Sequence, residues 1–177
     1  MLLSVGVLAL TGCSASSSSV EPSAPVTSSG PAVSGPGEYV FEVGGASGVV
    51  SLPGTPDVDV AGAVAITGAP EPVYVSVAVD NRNGAAEVMP GAVNAYTVDG
   101  TKITYQAACQ YLNTLDDASL PVEDGNKIIA AFNKVNDPVS VGESRTVTMV
   151  GTEVVPDDIV RVTVADAYGD EVQAAKR

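Results

Sequence analysis

The feature that most constrains the fold is a two-residue alternation of apolar and polar side chains, which recurs from about residue 38 onward. In the clearest case, valine occupies every second position of residues 73–79. Successive side chains of a strand point to opposite faces, so this pattern indicates a strand with one face on a core. The same alternation predicts strands near residues 39–43, 146–149 and 160–164, and another from residue 57 towards Ile66.

Two short segments between these runs are typical of turns. Asp99 and Gly100 separate residues 95–98 from residues 101–105. An Asp-Gly pair readily adopts the positive φ angles of a tight turn, so it predicts a β-hairpin here. Residues 81–84, Asn-Arg-Asn-Gly, also suit a turn, and they follow the valine-rich strand directly.

The stretch from residue 106 to residue 136 has a different pattern. Its apolar residues recur three or four positions apart, which indicates one or two short helices. These residues are Ala108, Tyr111, Leu112 and Leu115, and then Ile128, Phe132 and Val135. The chain therefore predicts an all-β domain, an antiparallel immunoglobulin-like β-sandwich with one or two short helices in a crossing connection.

The charged residues restrict both partners and chemistry. The chain has 8 Lys and Arg residues against 21 Asp and Glu residues, a formal charge of −13, and every basic residue lies at Arg82 or later. Phosphate backbones attract basic patches, so we expect no nucleic-acid partner. The chain has no histidine, which removes His-dependent catalytic triads and His-ligated zinc. We predict no cofactor and no metal site.

The first residues have the pattern of an export signal. Residues 2–10 form an apolar run that is too short to cross about 30 Å of hydrocarbon. Leu10, Thr11, Gly12 and Cys13 follow, and they resemble the bacterial lipobox, an aliphatic residue and two small residues before the lipidated cysteine. The resemblance implies cleavage after Gly12 and a diacylated Cys13, and two acyl chains anchor a protein stably to a membrane.

Residues 14–37 are rich in Ser and Pro, and Glu21 is their only charged residue. Such a segment buries too little apolar surface to offset its ordering entropy, so we predict that it is disordered. The predicted organisation is a signal peptide at residues 1–12, a lipidated Cys13 with a disordered tether at residues 13–37, and a folded domain at residues 38–177.

Several segments together resemble one protein family. They are the lipobox, the Ser/Pro-rich tether, VSVAVDNRNG at residues 75–84, VDGTKITY at residues 98–105 and VSVGESRTVTMVG at residues 139–151. This combination resembles the small immunoglobulin-like lipoproteins of Gram-positive bacteria, especially actinobacteria. The resemblance implies an extracytoplasmic location and a binding or structural role, and it implies no catalytic residue.

Cys109 is the one cysteine inside the predicted domain. It follows Ala107 and Ala108, and an apolar setting favours a buried, inert thiol. Two alternatives are a disulfide with Cys13, which would compete with lipidation, and a disulfide with a cysteine of another chain.

Two groups of acidic residues are candidate metal ligands. Asp116, Asp117, Glu123 and Asp124 lie within nine residues, but their spacing matches no calcium-binding loop. Mostly apolar residues separate the two pairs, so we predict a solvated acidic loop without a calcium site. Asp157 and Asp158 are interpreted in the same way.

The predicted function is that of a lipoprotein anchored by Cys13 to the extracytoplasmic face of the cell membrane. Its domain is predicted to be non-catalytic, and to bind an envelope or extracellular macromolecule or to support an envelope assembly. One alternative is a prophage-encoded surface lipoprotein that blocks uptake at the envelope. Another is a histidine-free hydrolase, but the chain has few aromatic residues and no Trp to form a sugar-binding cleft.

Overall fold

The computed structural model describes residues 32–115 and 119–177, all within one compact unit, Pro31–Arg177. These residues form eight strands and three helices. The strands are β1 (Gly37–Val43), β2 (Ala46–Leu52), β3 (Val73–Asp80), β4 (Pro90–Thr97), β5 (Lys102–Ala107), β6 (Ser144–Gly151), β7 (Ile159–Asp166) and β8 (Glu171–Lys176). The helices are α1 (Val58–Thr67), α2 (Ala108–Leu112) and α3 (Val122–Val135).

The strands form a closed antiparallel barrel in the order β1-β2-β3-β6-β5-β4-β7-β8. The predicted immunoglobulin-like sandwich is therefore wrong, because β1 pairs with β8 and β5 pairs with β6, which joins the sheet along both sides. Alternating side chains do not distinguish these folds, since strands of sandwiches and of barrels both turn one face to a core. The pairings that close the barrel join segments far apart in sequence and leave no local pattern.

The core lies inside the barrel and receives side chains from every strand. The predicted valine-rich strand is confirmed as β3, and Val75, Val77 and Val79 are buried in this core. Burying an aliphatic side chain of this size contributes about 1.5–3 kcal/mol. One core residue from each of the other strands, in barrel order, is Tyr39, Val50, Met149, Tyr105, Val93, Val162 and Ala174.

The predicted hairpin is confirmed. β4 and β5 pair antiparallel on either side of the turn at Asp99 and Gly100. Gly100 has a φ of 86°, which a side chain would disfavour, and an Asp99 carboxylate oxygen accepts a hydrogen bond from the N–H of Thr101 at 3.0 Å. The conformation of the glycine and the side-chain hydrogen bond of the aspartate therefore both stabilise this turn.

The strand predicted from residue 57 towards Ile66 is wrong, because this segment is helix α1. The Asp57 side chain caps the helix by accepting hydrogen bonds from the N–H groups of the second and third residues after it, at 2.9 and 3.2 Å. Val60 and Val64 are one helical turn apart and both are buried. The cap and this spacing outweigh the short alternation at residues 57–60.

Helices occur where the spacing of residues 106–136 predicts them, as α2 and α3. Together with α1 they form a second apolar cluster on the outside of the barrel, against Tyr74 and Val150. Phe132 and Val135 of α3 contact both this cluster and the barrel core. The helices therefore cover one side of the barrel.

Two of the eight strand pairings are short. β1 pairs with β8 only at Tyr39–Lys176 and Val40–Ala175. β5 pairs with β6 only at Gln106–Val150 and Ala107–Met149, and α2 packs against both of these strands. In the described part of the chain no helix packs in this way beside the β1–β8 pairing.

Candidate functional site

Antiparallel pairing allows the two ends of the barrel to be defined from β1. We call the end where β1 begins, at Gly37, the near end, and the end where β1 stops, at Val43, the far end. The preceding chain joins the barrel at the near end, where the N–H groups of Ser34 and Gly35 donate to the carbonyl oxygen of Ile159, at 2.6 and 3.2 Å.

A cavity of about 440 Å³ opens at the far end, and we call it the end pocket. Its lining is mostly apolar, and it includes side chains from β1, from β7, from β8 and from the segment before β4. The main apolar residues are Phe41, Val43, Val88, Met89, Val164 and Val172. The mouth of a β-barrel is a common place for ligand binding, so the end pocket is the candidate functional site.

One wall of the end pocket is the turn between β7 and β8. An Asp166 carboxylate oxygen accepts hydrogen bonds from the N–H groups of Tyr168 and Asp170, at 2.8 and 3.0 Å. Gly169 adopts a φ of 95° in the same turn. The Tyr168 side chain is 95 % exposed at the mouth of the pocket, where an aromatic ring can contribute a large contact area to a ligand.

The adjoining wall is the segment that leads into β4. The pairing of β4 with β7 shifts register between Pro90 and Ala92, which is a β-bulge next to the pocket. A Cβ atom at Gly91 would lie 2.6 Å from the carbonyl oxygen of Asp166, so only glycine fits at this close approach. Val88 is held by two backbone hydrogen bonds to Val139, at 3.0 and 2.8 Å.

Asn81 forms hydrogen bonds that hold this wall in place. Its side chain is fully buried, and Nδ2 donates to the carbonyl oxygens of Ala86 and Val139, at 2.9 and 2.8 Å. One amide therefore connects the loop after β3 with the segment that precedes β6. This places the 86–88 segment at the rim of the pocket.

The β1–β8 pairing is open beside the end pocket. In the paired region, the backbone N–H of Arg177 donates to the backbone carbonyl oxygen of Glu38 at 2.9 Å, so the backbone of Glu38 faces β8. Backbone groups of alternate residues face the same neighbour, so those of Val40 and Glu42 also face β8. Val40 pairs with Ala175, but the next pair in register, Glu42 and Gln173, is not formed. We call this unpaired segment the open seam.

The pocket and the seam are surrounded by acidic side chains. Glu87, Asp166 and Asp170 line the pocket, and Glu42 lies beside the seam. No ion pair to any of these four carboxylates occurs within residues 32–115 and 119–177. We call these four residues the acidic rim.

All eight basic side chains of the chain contact other groups. Five pair with carboxylates that do not belong to the rim, two donate to backbone carbonyl oxygens, and one lies over the ring of Tyr96 at 3.8 Å. In that order they are Arg82, Lys102, Lys127, Lys134 and Arg177, then Arg145 and Lys176, and then Arg161. The acidic rim is therefore not neutralised by basic residues of its own chain.

The site residues predicted from the sequence lie elsewhere. Leu10, Thr11, Gly12 and the proposed lipidation site Cys13 are outside the described residues, as are Asp116 and Asp117. Glu123 and Asp124 lie in the first turn of α3, where Lys127 pairs with both. Asp157 and Asp158 are exposed just before β7. Across the described ranges, no group of three or more Cys, Asp or Glu side chains is arranged to hold a metal ion.

Cys109 is buried, as its apolar context predicts, and it is a free thiol. Burial raises the pKa of this thiol, because desolvation disfavours the thiolate. It lies in the barrel core and does not line the end pocket.

The end pocket itself is absent from the sequence-based prediction. Its residues come from four separate segments, and none of those segments contains a recognisable binding motif. The nearest signal is the Asp166–Asp170 turn, in which two carboxylates flank an exposed tyrosine and a glycine. Only the closed barrel brings this turn next to Phe41 and Val88.

Comparisons with known protein families, with curated proteins and with solved structures gave no match to this chain. Among the residues that the structure describes, no helix has both the length and the apolar character needed to cross a membrane.

Proposed function

We propose that this chain is a lipoprotein anchored by lipid on Cys13 to the extracytoplasmic face of the cell membrane, and that its barrel is a non-catalytic binding module. The end pocket is its binding site. The observation that carries the proposal is the placement of this pocket at the far end, because the chain that leads from Cys13 joins the barrel at the near end.

This placement suits a tethered receptor. A barrel held from its near end presents its far end towards the surroundings, where an extracellular or envelope macromolecule can reach the pocket. The domain is acidic, and anionic lipid would repel it from the membrane surface.

The composition of the pocket supports binding without catalysis. Most of its lining consists of Val, Phe, Met, Ala and Pro side chains, which supply apolar contact and no nucleophile. The Asp166 carboxylate is engaged by two N–H groups of its own turn. The chain also lacks histidine, the commonest general base in enzymes.

Lipid attachment is tested with the full chain in a Gram-positive host that is fed an alkyne analogue of palmitate. We expect label on the wild-type chain and on Cys109→Ser, and no label on Cys13→Ser. Label that persists on Cys13→Ser would contradict the anchor. A Tyr168→Cys variant should also react with a membrane-impermeant maleimide on intact cells, and reaction only after lysis would contradict the extracytoplasmic location.

Pocket binding is tested with a neutral apolar dye, phenylnaphthylamine, which fluoresces when it leaves water. The full chain carrying Cys13→Ser avoids the need for detergent, which would compete for an apolar site. We expect dye fluorescence that is lost in Val172→Glu and retained in Val98→Glu, since Val172 lines the end pocket and Val98 lies exposed in the near-end β4–β5 turn. Equal fluorescence in both variants would contradict the binding site.

A further inference from the structure

We propose that the occupant of the end pocket is an extended basic segment of a partner protein. This inference rests on the end pocket being the binding site. The segment adds as a short strand in the open seam between β1 and β8. One of its apolar side chains enters the end pocket, and its Lys or Arg side chains reach the acidic rim.

The backbone of the seam is the first argument. The backbone N–H and C=O groups of Glu42 and Gln173 face one another across the open seam. They do not form the next pair of the β1–β8 ladder. Unpaired edge groups of this kind are a template for an added strand, and peptide-binding domains use such edges for β-augmentation. The other short pairing, β5–β6, has α2 packed on both strands and does not offer the same access.

The position of the pocket is the second argument. Side chains of a strand alternate between the two faces of a sheet. At the seam, Phe41, Val43 and Val172 turn inward and line the pocket, whereas Glu42 and Gln173 are exposed. A strand added here would point one side chain into the apolar pocket and its two neighbours outward. The fit is therefore to a segment in which apolar and charged residues alternate.

The charge of the rim is the third argument and decides the sign of the partner. Four carboxylates surround the pocket and seam, and the eight basic side chains of this chain contact other groups. Opposite charge across an interface speeds association and favours the correct partner. Residues 1–37 of this chain contain no Lys or Arg, so this segment of its own chain does not complement the rim.

The test uses capped Lys-Leu-Lys-Leu-Lys and the full chain carrying Cys13→Ser, at about 0.15 M salt, where distant surface charges are screened. In one control peptide, every Lys is replaced by Glu. In the other, the backbone nitrogens that would pair with the seam are methylated. We expect each change to raise Kd by at least about tenfold, which corresponds to about 1.4 kcal/mol. Hydrogen exchange followed by NMR should show that the basic peptide protects the amides of Glu42 and Gln173.

A matched pair of variants tests the rim. Asp170→Asn removes a rim carboxylate and should raise the Kd of the basic peptide several-fold. Asp157→Asn removes an exposed carboxylate at the near end and should leave this Kd unchanged. Thermal melts of both variants confirm that each is folded at the temperature of the binding measurement.

Several outcomes would overturn the inference. They are an acidic or N-methylated peptide that binds as tightly as the basic one, seam amides that stay unprotected, and equal effects of the two Asp→Asn variants. If the peptide dissociates a dimer of the chain detected by light scattering, the occupant is a second copy and the inference also fails. Dye binding without peptide binding leaves the proposed function intact, whereas loss of both removes the pocket as a binding site.

Discussion

Asn94 of β4 donates a hydrogen bond from Nδ2 to a carboxylate oxygen of Glu171 in β8, at 3.0 Å, across the intervening strand β7. The same carboxylate accepts from Thr163 of β7 at 2.8 Å and from Lys102 of β5 at 3.1 Å. The hydrogen bond from Thr163, first of all, and then those from Lys102 and Tyr96 lower the pKa of Glu171 below its usual value of 4.5. A single carboxylate thus joins four consecutive strands on the outer face of the barrel.

The first prediction concerns pH. A carboxyl whose pKa is lower in the folded chain stabilises the fold above its unfolded pKa, and this contribution is lost as pH falls through the folded value. Glu171→Gln should therefore lower the free energy of unfolding by about 1 kcal/mol at neutral pH, given its partial exposure. The difference from wild type should shrink as pH falls below 4.5. Urea denaturation between neutral and acid pH measures it.

Glu153→Gln is the matched control, because Glu153 is exposed and forms no ion pair within the described ranges. It should leave the pH dependence close to that of wild type. If the two variants give the same curve, the Glu171 carboxylate does not stabilise the sheet.

The second prediction tests the core assignment of β3. Val77 is fully buried and its neighbour Ala78 is exposed on the outer face of the same strand. Val77→Asp would bury an unpaired charge, which costs several kcal/mol and should unfold a domain of ordinary stability. Ala78→Asp should change stability by less than about 1 kcal/mol. Similar melting temperatures for the two variants would show that the inward face is wrongly assigned.

The sequence predicts β3 and the β4–β5 hairpin because their signals are local. β2 is harder to recognise, since Gly48 stands at an inward position where the ring of Phe41 takes the space of a side chain. β8 is short, and it turns a small residue, Ala174, to the core. Without these two strands, the pairing of β1 with β8 cannot be anticipated.

The candidate site is less predictable than the fold for the same physical reason. Phe41, Val88 and Val172 are ordinary apolar residues in sequence, and only closure of the barrel brings them together. The lipobox is different, because its recognition depends on four consecutive residues and not on tertiary structure. The anchor can therefore be proposed from sequence, whereas the pocket needs the folded chain.

The third prediction compares two glycines. A Cβ atom at Gly84 would overlap Oδ1 of the buried Asn81, whose amide group donates two hydrogen bonds. Gly84→Ala should disturb both hydrogen bonds and cost about 2 kcal/mol. Gly62→Ala lies in α1, where a Cβ meets nothing within 4 Å, and it should stabilise the fold by about 0.5–1 kcal/mol through helix propensity.

Thermal melts of both glycine variants measure these effects. Opposite shifts in melting temperature are expected, downward for Gly84→Ala and upward for Gly62→Ala. A neutral Gly84→Ala would show that Asn81 can move without loss, and that this amide does not fix the wall of the end pocket.

The last prediction uses the Cys109 thiol to report opening of the barrel. Cys109 is buried in the core, and burial raises its pKa, so both access and thiolate content oppose reaction with a thiol reagent. In the full chain carrying Cys13→Ser, we expect Cys109 to react at mildly alkaline pH only as fast as the domain opens. Urea should therefore accelerate the reaction in parallel with unfolding. A Tyr168→Cys thiol in a chain that also carries Cys109→Ser should react at once, because residue 168 is 95 % exposed. If Cys109 reacts as fast as that exposed thiol without urea, the core around α2 is open in the native chain, and Cys109 is then a reactive group and not an inert one.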